Sequence, residues 1–139
     1  MASVFSLIID GQISGEFVWR DERCVAFLSI NPLAPGHTLV VPREEVDHWI
    51  DVDEDLATHL MAVAHRIGRV QQEVFGSERI GLVVAGFEVP HTHLHVLPIR
   101  GMADLDFANA AAGPGDDFAE TADRLRTALA AAGHPEATA

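Results

Sequence analysis

An α+β fold, with a five-stranded sheet and helices packed on one face, is what this chain predicts. Three observations carry that prediction. Leu56, Leu60, Val63, Ile67, Val70 and Val74 recur at alternating intervals of four and three, which makes one apolar stripe along a long helix. Five short runs at 13–19, 24–28, 37–42, 80–86 and 91–98 are rich in β-branched and aliphatic residues and read as strands. Most connections between them are short, and the long helix falls between the third and fourth, so the helix is expected to lie across the sheet. With 139 residues, 48% of them apolar and 22% charged, there is material for one core.

In chain order, Val4-Phe5-Ser6-Leu7-Ile8-Ile9 followed by Asp10-Gly11 reads as a short helix stopped by glycine. The first two strands are joined by the polar turn Asp21-Glu22-Arg23 and are expected to pair as a hairpin. Ile30-Asn31-Pro32-Leu33-Ala34-Pro35-Gly36 contains two prolines and a glycine, so it is a shaped loop that delivers His37 to the mouth of the third strand. Asp51 and Glu54 stand at capping-box spacing before the long helix, and Phe75-Gly76 marks its stop. His59 and His65 fall off the apolar stripe and read as surface residues. After Arg100 the composition turns to Ala, Asp and Gly. Residues 110–115 look like a flexible linker, and Asp117 with Glu120 can cap a last helix striped by Phe118, Ala122, Leu125 and Leu129. Residues 135–139 are expected to fray. The organisation is therefore a main domain over 1–100 and a C-terminal extension over 101–139.

The formal net charge of −12 argues against nucleic acid or an anionic membrane as partner, because both need a basic face. A phosphate-bearing substrate would depend on a local pocket of N–H groups and imidazoles. Cys24 is the only cysteine and opens an apolar run, where a small buried residue fits, so no intrachain disulfide is expected. The N-terminus lacks the basic region of a signal peptide and nothing is long enough to span a membrane, which makes a cytoplasmic location the default expectation.

The chemistry concentrates in His91-Thr92-His93-Leu94-His95-Val96-Leu97-Pro98. In an extended backbone the three imidazoles share one face, while Thr92, Leu94 and Val96 face the other way and can be buried. Taken alone, the octapeptide admits a solvent-facing histidine strand, a zinc site of three imidazoles, or an active site with imidazole as nucleophile and proton carrier.

Histidine, apolar, histidine, apolar, histidine, two apolar residues and proline resembles the signature of the histidine triad (HIT) family. Pro35-Gly36-His37-Thr38-Leu39-Val40-Val41-Pro42 resembles the family's second landmark, and Phe5, Ile8, Ile13 and Asp21-Glu22-Arg23-Cys24-Val25-Ala26-Phe27 resemble the N-terminal part of Hint-type members. The likeness runs over roughly residues 3 to 100. It implies a five-stranded antiparallel sheet with a long central helix. The short N-terminal helix completes that picture, and the C-terminal helix is an addition. It also implies a homodimer and transfer or hydrolysis at the α-phosphorus of a nucleotide, without a metal or other cofactor. Carried over by position, His93 is the nucleophile and His95 binds the phosphoryl oxygens. His91 and His37 form the supporting pair that orients His93. The implied activity is a nucleotide phosphoramidase or hydrolase working through a nucleotidyl-histidine. A dinucleoside polyphosphate hydrolase, a non-catalytic nucleotide-binding module and a zinc hydrolase ligated by His91, His93 and His95 are the alternatives. Phe5, Ile8, Phe27 and Ile30 would form the base slot, Ser29 would lie by the ribose, Asn31 would also belong to the substrate site, and the turn at Glu88 and Val89 would offer N–H groups to phosphate.

Four features depart from the family pattern. Ser29 stands where Hint-type members carry an acidic residue against the ribose hydroxyls. Phe87 replaces a usual glutamine, and Val83-Val84-Ala85-Gly86 has the Ala-Gly but not the asparagine. Glu88 puts a carboxylate next to a phosphate site, where it repels unless it points away.

Overall fold

The computed structural model describes all residues 1–139. Its elements are α1 (Val4–Ile9), β1 (Phe17–Arg20), β2 (Cys24–Leu28), β3 (Thr38–Pro42), α2 (Glu54–Phe75), β4 (Arg79–Val83), β5 (Leu94–Ile99) and α3 (Phe118–Ala131), with short 3-10 turns at Trp49–Asp51, Met102–Leu105 and Phe107–Asn109. The five strands form one antiparallel sheet in the order β1-β2-β3-β5-β4. The α+β class, the strand count and the three helices all match the sequence reading.

Alternation along the strands builds two cores. Cys24, Ala26 and Leu28 of β2, Val40 of β3 and Leu94 and Val96 of β5 pack under the α2 stripe and against Ala122, Leu125 and Leu129 of α3. The opposite side chains, Val25, Phe27, Leu39 and Val41, make a second core with Phe17 and with Phe5 of α1. Helices therefore cover both faces of the sheet, not one, because α1 lays its Phe5 on the side away from α2. That second side carries the site.

Several boundaries differ from expectation. The first strand begins at Phe17, leaving Ile13 at the surface, and a bulge between Phe17 and Trp19 puts both Val18 and Trp19 into the α2-side core. The fourth ends at Val83, before a turn through Gly86 at φ +92. Neither capping box forms. Asp51 is taken into the 3-10 turn capped by His48, and Asp53 and Asp117 stand at the two N-caps without side-chain cap bonds. Helix α2 does end as expected, with Gly76 left-handed at φ +62.

The C-terminal extension is tied to the rest of the molecule. Ala111 N–H donates to the Pro32 carbonyl at 3.0 Å, and Asn31 Nδ2 donates to the Ala111 carbonyl at 3.0 Å. The expected flexible linker is thus fastened to the proline loop. Residues 135–139 do not fray either. Arg20 N–H donates to the Glu136 carbonyl at 2.9 Å, Ala137 packs against the core and His134 lies 5.5 Å from the Trp19 ring.

Candidate active site

The strand β5 starts only at Leu94, so His91 and His93 lie in the extended approach to it and His95 within it. All three are buried, as is His37. Pairing of β3 with β5 sets Leu39 opposite His95 and so brings His37 within reach of it. Gly36, at φ +87, makes the turn that aims His37 inward; a Cβ there would collide with the Phe75 ring. The turn is also held from below. Gln71 of α2 is fully buried, and its Nε2 donates to the carbonyls of Gly36 and Val96, each at 2.9 Å. It ties together the residue before His37 and the residue after His95. Sequence reasoning passed over Gln71, although a polar residue next to a buried stripe, four after Ile67, was the available signal.

Hydrogen-bond partners that can act in only one sense fix every imidazole tautomer. Leu33 N–H donates to His37 Nδ1 at 3.0 Å, so the neutral ring carries its proton on Nε2. That proton goes to His95 Nδ1 at 2.9 Å, which leaves the His95 proton on Nε2. His95 Nε2–H is buried, has no partner in the chain and stands in the wall of the cavity. His93 Nδ1 lies 2.7 Å from the His91 carbonyl, which can only accept. Its proton is therefore on Nδ1, and the Nε2 lone pair is directed to the cavity side. His91 donates from Nε2 to the Pro42 carbonyl at 2.7 Å and accepts at Nδ1 from Ser3 Oγ at 2.7 Å. The supporting pair is thus not His91 with His37. His37 orients His95, whereas His91 orients His93 through its backbone carbonyl.

Burial favours the neutral forms. Desolvation, with His93 nearby, lowers the His37 pKa to about 4. Desolvation, with His93 and His37, lowers that of His95 to about 3.

His93 and His95 open on a cavity of about 360 Å³. All eight residues expected at the substrate line it, namely Phe5, Ile8, Phe27, Ser29, Ile30, Asn31, Glu88 and Val89. Phe107 and Ala110 of the C-terminal extension line it too, and nothing in their sequence signalled that. Phe87 is 96% exposed and takes no part. Glu88 does not point away, since its Oε2 lies 3.6 Å from His93 Nε2.

A three-histidine metal set does not assemble, because both ring nitrogens of His91 are engaged elsewhere. Glu88, His93 and His95 bring ligand atoms within 4.8 Å of one another, but His95 Nδ1 is taken up by His37 and its Nε2 carries the proton. A second group, Asp21, Cys24 and His59, is a closed hydrogen-bond cluster. Asp21 Oδ2 receives Trp19 Nε1 and His59 Nε2, each at 2.7 Å, and Cys24 Sγ at 3.5 Å. Burial works to raise the Asp21 pKa, but these donors and the N–H groups of Arg23 and Cys24 hold it well below the usual carboxylate range. His59 is accordingly half-buried and paired, not a free surface residue, whereas His65 is exposed. Burial, then Asp21, pushes the Cys24 thiol up, so it stays inert.

The sequence model of the HIT domain matches residues 10–102. A HIT-like protein of Mycobacterium tuberculosis is 32% identical over 136 residues, 94% of each chain. An asymmetrical bis(5'-nucleosyl)-tetraphosphatase of Schizosaccharomyces pombe is 32% identical over 98 residues, 67% of this chain and 53% of that enzyme. Among solved structures, a zinc-bound histidine triad family protein from Mycobacterium smegmatis superposes with a TM-score of 0.81 at 28% identity, over 95% of this chain and 96% of that one. With the motif, the fold and these likenesses in agreement, the chain belongs to the histidine triad family.

Proposed function

We propose that this protein cleaves nucleoside phosphoramidates at the α-phosphorus through a covalent nucleotidyl-His93. The observation that carries the reading is the tautomer pattern: a lone pair on His93 Nε2 beside an unpartnered N–H on His95 Nε2, on one cavity wall. The first is a nucleophile and the second a donor for a phosphoryl oxygen as its charge grows. In the first step the Nε2 lone pair forms a bond to phosphorus while the P–N bond breaks, and the amine leaves with a proton drawn from water. The imidazolium so formed keeps its Nδ1–H on the His91 carbonyl. In the second step water attacks phosphorus, the P–Nε2 bond breaks and the proton of the water is released. The N–H groups of Glu88 and Val89 donate to nothing in the chain and are free for phosphate oxygens.

Dinucleoside polyphosphate cleavage, named for the fission-yeast relative, is the second reading. Glu88 favours the first. A carboxylate beside the reacting atoms repels each added phosphate, whereas an amine leaving group adds no negative charge. We further propose that the protein works as a homodimer.

Adenosine 5'-phosphoramidate should leave an acid-labile adenylyl group on the protein, seen by intact-mass measurement after rapid acid quench. His93→Ala should abolish both adduct and turnover, a loss of roughly four decades in kcat, or about 5.5 kcal/mol. An undiminished adduct in His93→Ala ends the assignment. Tight nucleotide binding with no turnover of any tested substrate would instead identify a binding module.

A further inference from the structure

Beyond residue 102, where the family match ends, the chain crosses the cavity before entering α3. It is fastened at several points. Leu105 packs on Gly81 of β4, where even a Cβ would come within 2.9 Å of it. Ala111 is held to the proline loop through Pro32 and Asn31, and Phe118 packs against the main core. Between these anchors the Phe107 ring stands edge-on to His95, 4.8 Å between centroids. This makes a row of rings along the cavity. Phe27 meets Phe5 at 5.5 Å, Phe5 meets His93 at 4.9 Å, His93 meets His95 at 4.8 Å, and Phe107 closes the far end. If the base lies at the Phe27–Phe5 end and phosphorus at the two histidines, what extends toward Phe107 is the leaving group.

We infer that Phe107 is a specificity-determining wall: the segment from Leu105 to Ala111 holds it against the reacting centre, so that substrates with a compact amine leaving group are accepted and those with a bulky one are turned away. The inference rests on the proposed phosphoramidate cleavage. A residue anchored on both sides cannot swing aside without giving up the Leu105 packing or the Asn31–Ala111 bond. The cavity is also near the small end of the range for ligand sites, which leaves little room beyond one nucleotide.

The test compares adenosine 5'-phosphoramidate, whose leaving group is ammonia, with the adenosine phosphoramidate of a bulky aryl-ethylamine. The wild-type chain, Phe107→Leu and Phe107→Ala are used at full length. The ratio of kcat/KM for the bulky over the compact substrate should rise roughly tenfold in Phe107→Ala, with Phe107→Leu in between. A ratio that stays put or falls, while the compact substrate still labels His93, overturns the wall and leaves the proposed function standing. Failure of the wild-type chain to form the adduct with the compact substrate overturns both.

Discussion

His37 and His95 are hidden from water and hydrogen-bonded to each other, and that has a consequence for stability. Their pKa values are lowered to about 4 and about 3 in the folded chain, against an ordinary imidazole value of ~6.5 when unfolded. Between those limits the unfolded chain binds more protons than the folded one, so stability rises with pH. The contribution of the neutral pair is fully present above ~6.5 and is lost progressively as pH falls toward the folded-state values. Denaturant unfolding followed between pH 7 and pH 4 should show a loss on the order of 6 kcal/mol, shallower in His37→Gln. A flat profile across that window would contradict the buried neutral pair. The spacing of the histidines was legible because alternation is a local property of an extended chain. Their partners were not. Whether His37 meets His95 or His91 depends on the β3–β5 register, a contact between residues 58 apart in sequence. The same holds for Gln71, whose two carbonyl partners come from the turn before β3 and from β5.

Six residues are too few for a helix to persist by itself, so α1 must be held by what it touches. Ser3 caps it, its Oγ accepting from Ser6 N–H at 3.1 Å while donating to His91 Nδ1 at 2.7 Å. Glu45 Oε1 accepts from Ser3 N–H and from Ser6 Oγ, each at 2.7 Å. Within the same first turn, Phe5 lies edge-on to His93. The element that walls the cavity with Phe5 and Ile8 is thereby fastened to the residue that orients the nucleophile. Ser3→Ala removes the cap and leaves a buried imidazole nitrogen without a donor. Stability should fall by about 2 kcal/mol, with a raised KM as α1 loosens, and Ser3→Thr should restore most of both. Thermal unfolding and steady-state kinetics of the two variants check this; a loss below ~0.5 kcal/mol in Ser3→Ala would show that His91 is held without the serine. The helix itself was readable from Val4 to Ile9 and its Asp10-Gly11 stop. Its partner Glu45 was not, because nothing local distinguishes that residue from Glu44 beside it.

On the scale of the whole molecule, the C-terminal extension was the least legible part. Alanine, glycine and aspartate suggest slack chain, and only the folded surroundings give 110–111 and 136–137 something to bind. Those contacts decide how the sheet ends. The outer edge of β1 is engaged by the backbone of Glu136, whereas β4 is the last strand on the other side and its outer edge is unpaired. Beside it, Leu82 is 41% exposed and Met61 of α2 is 51% exposed, an apolar flank next to a row of open N–H and C=O groups. An edge of that kind joins other chains indiscriminately unless something covers it. In the proposed homodimer a second copy related by a two-fold axis would cover it with its own β4, joining the two sheets into one, and a two-fold contact closes on itself so that growth stops at two. The two Leu82 side chains would then be buried together. Replacing Leu82 by Glu introduces two like charges and removes roughly 1.5 kcal/mol of apolar burial from each copy. The dissociation constant should therefore rise roughly a hundredfold or more. Light scattering at micromolar concentration should give a dimer mass for the wild-type chain and a monomer mass for Leu82→Glu. A monomeric wild-type chain would overturn the dimer. A variant that remains fully dimeric would place the two-fold axis on some surface other than β4.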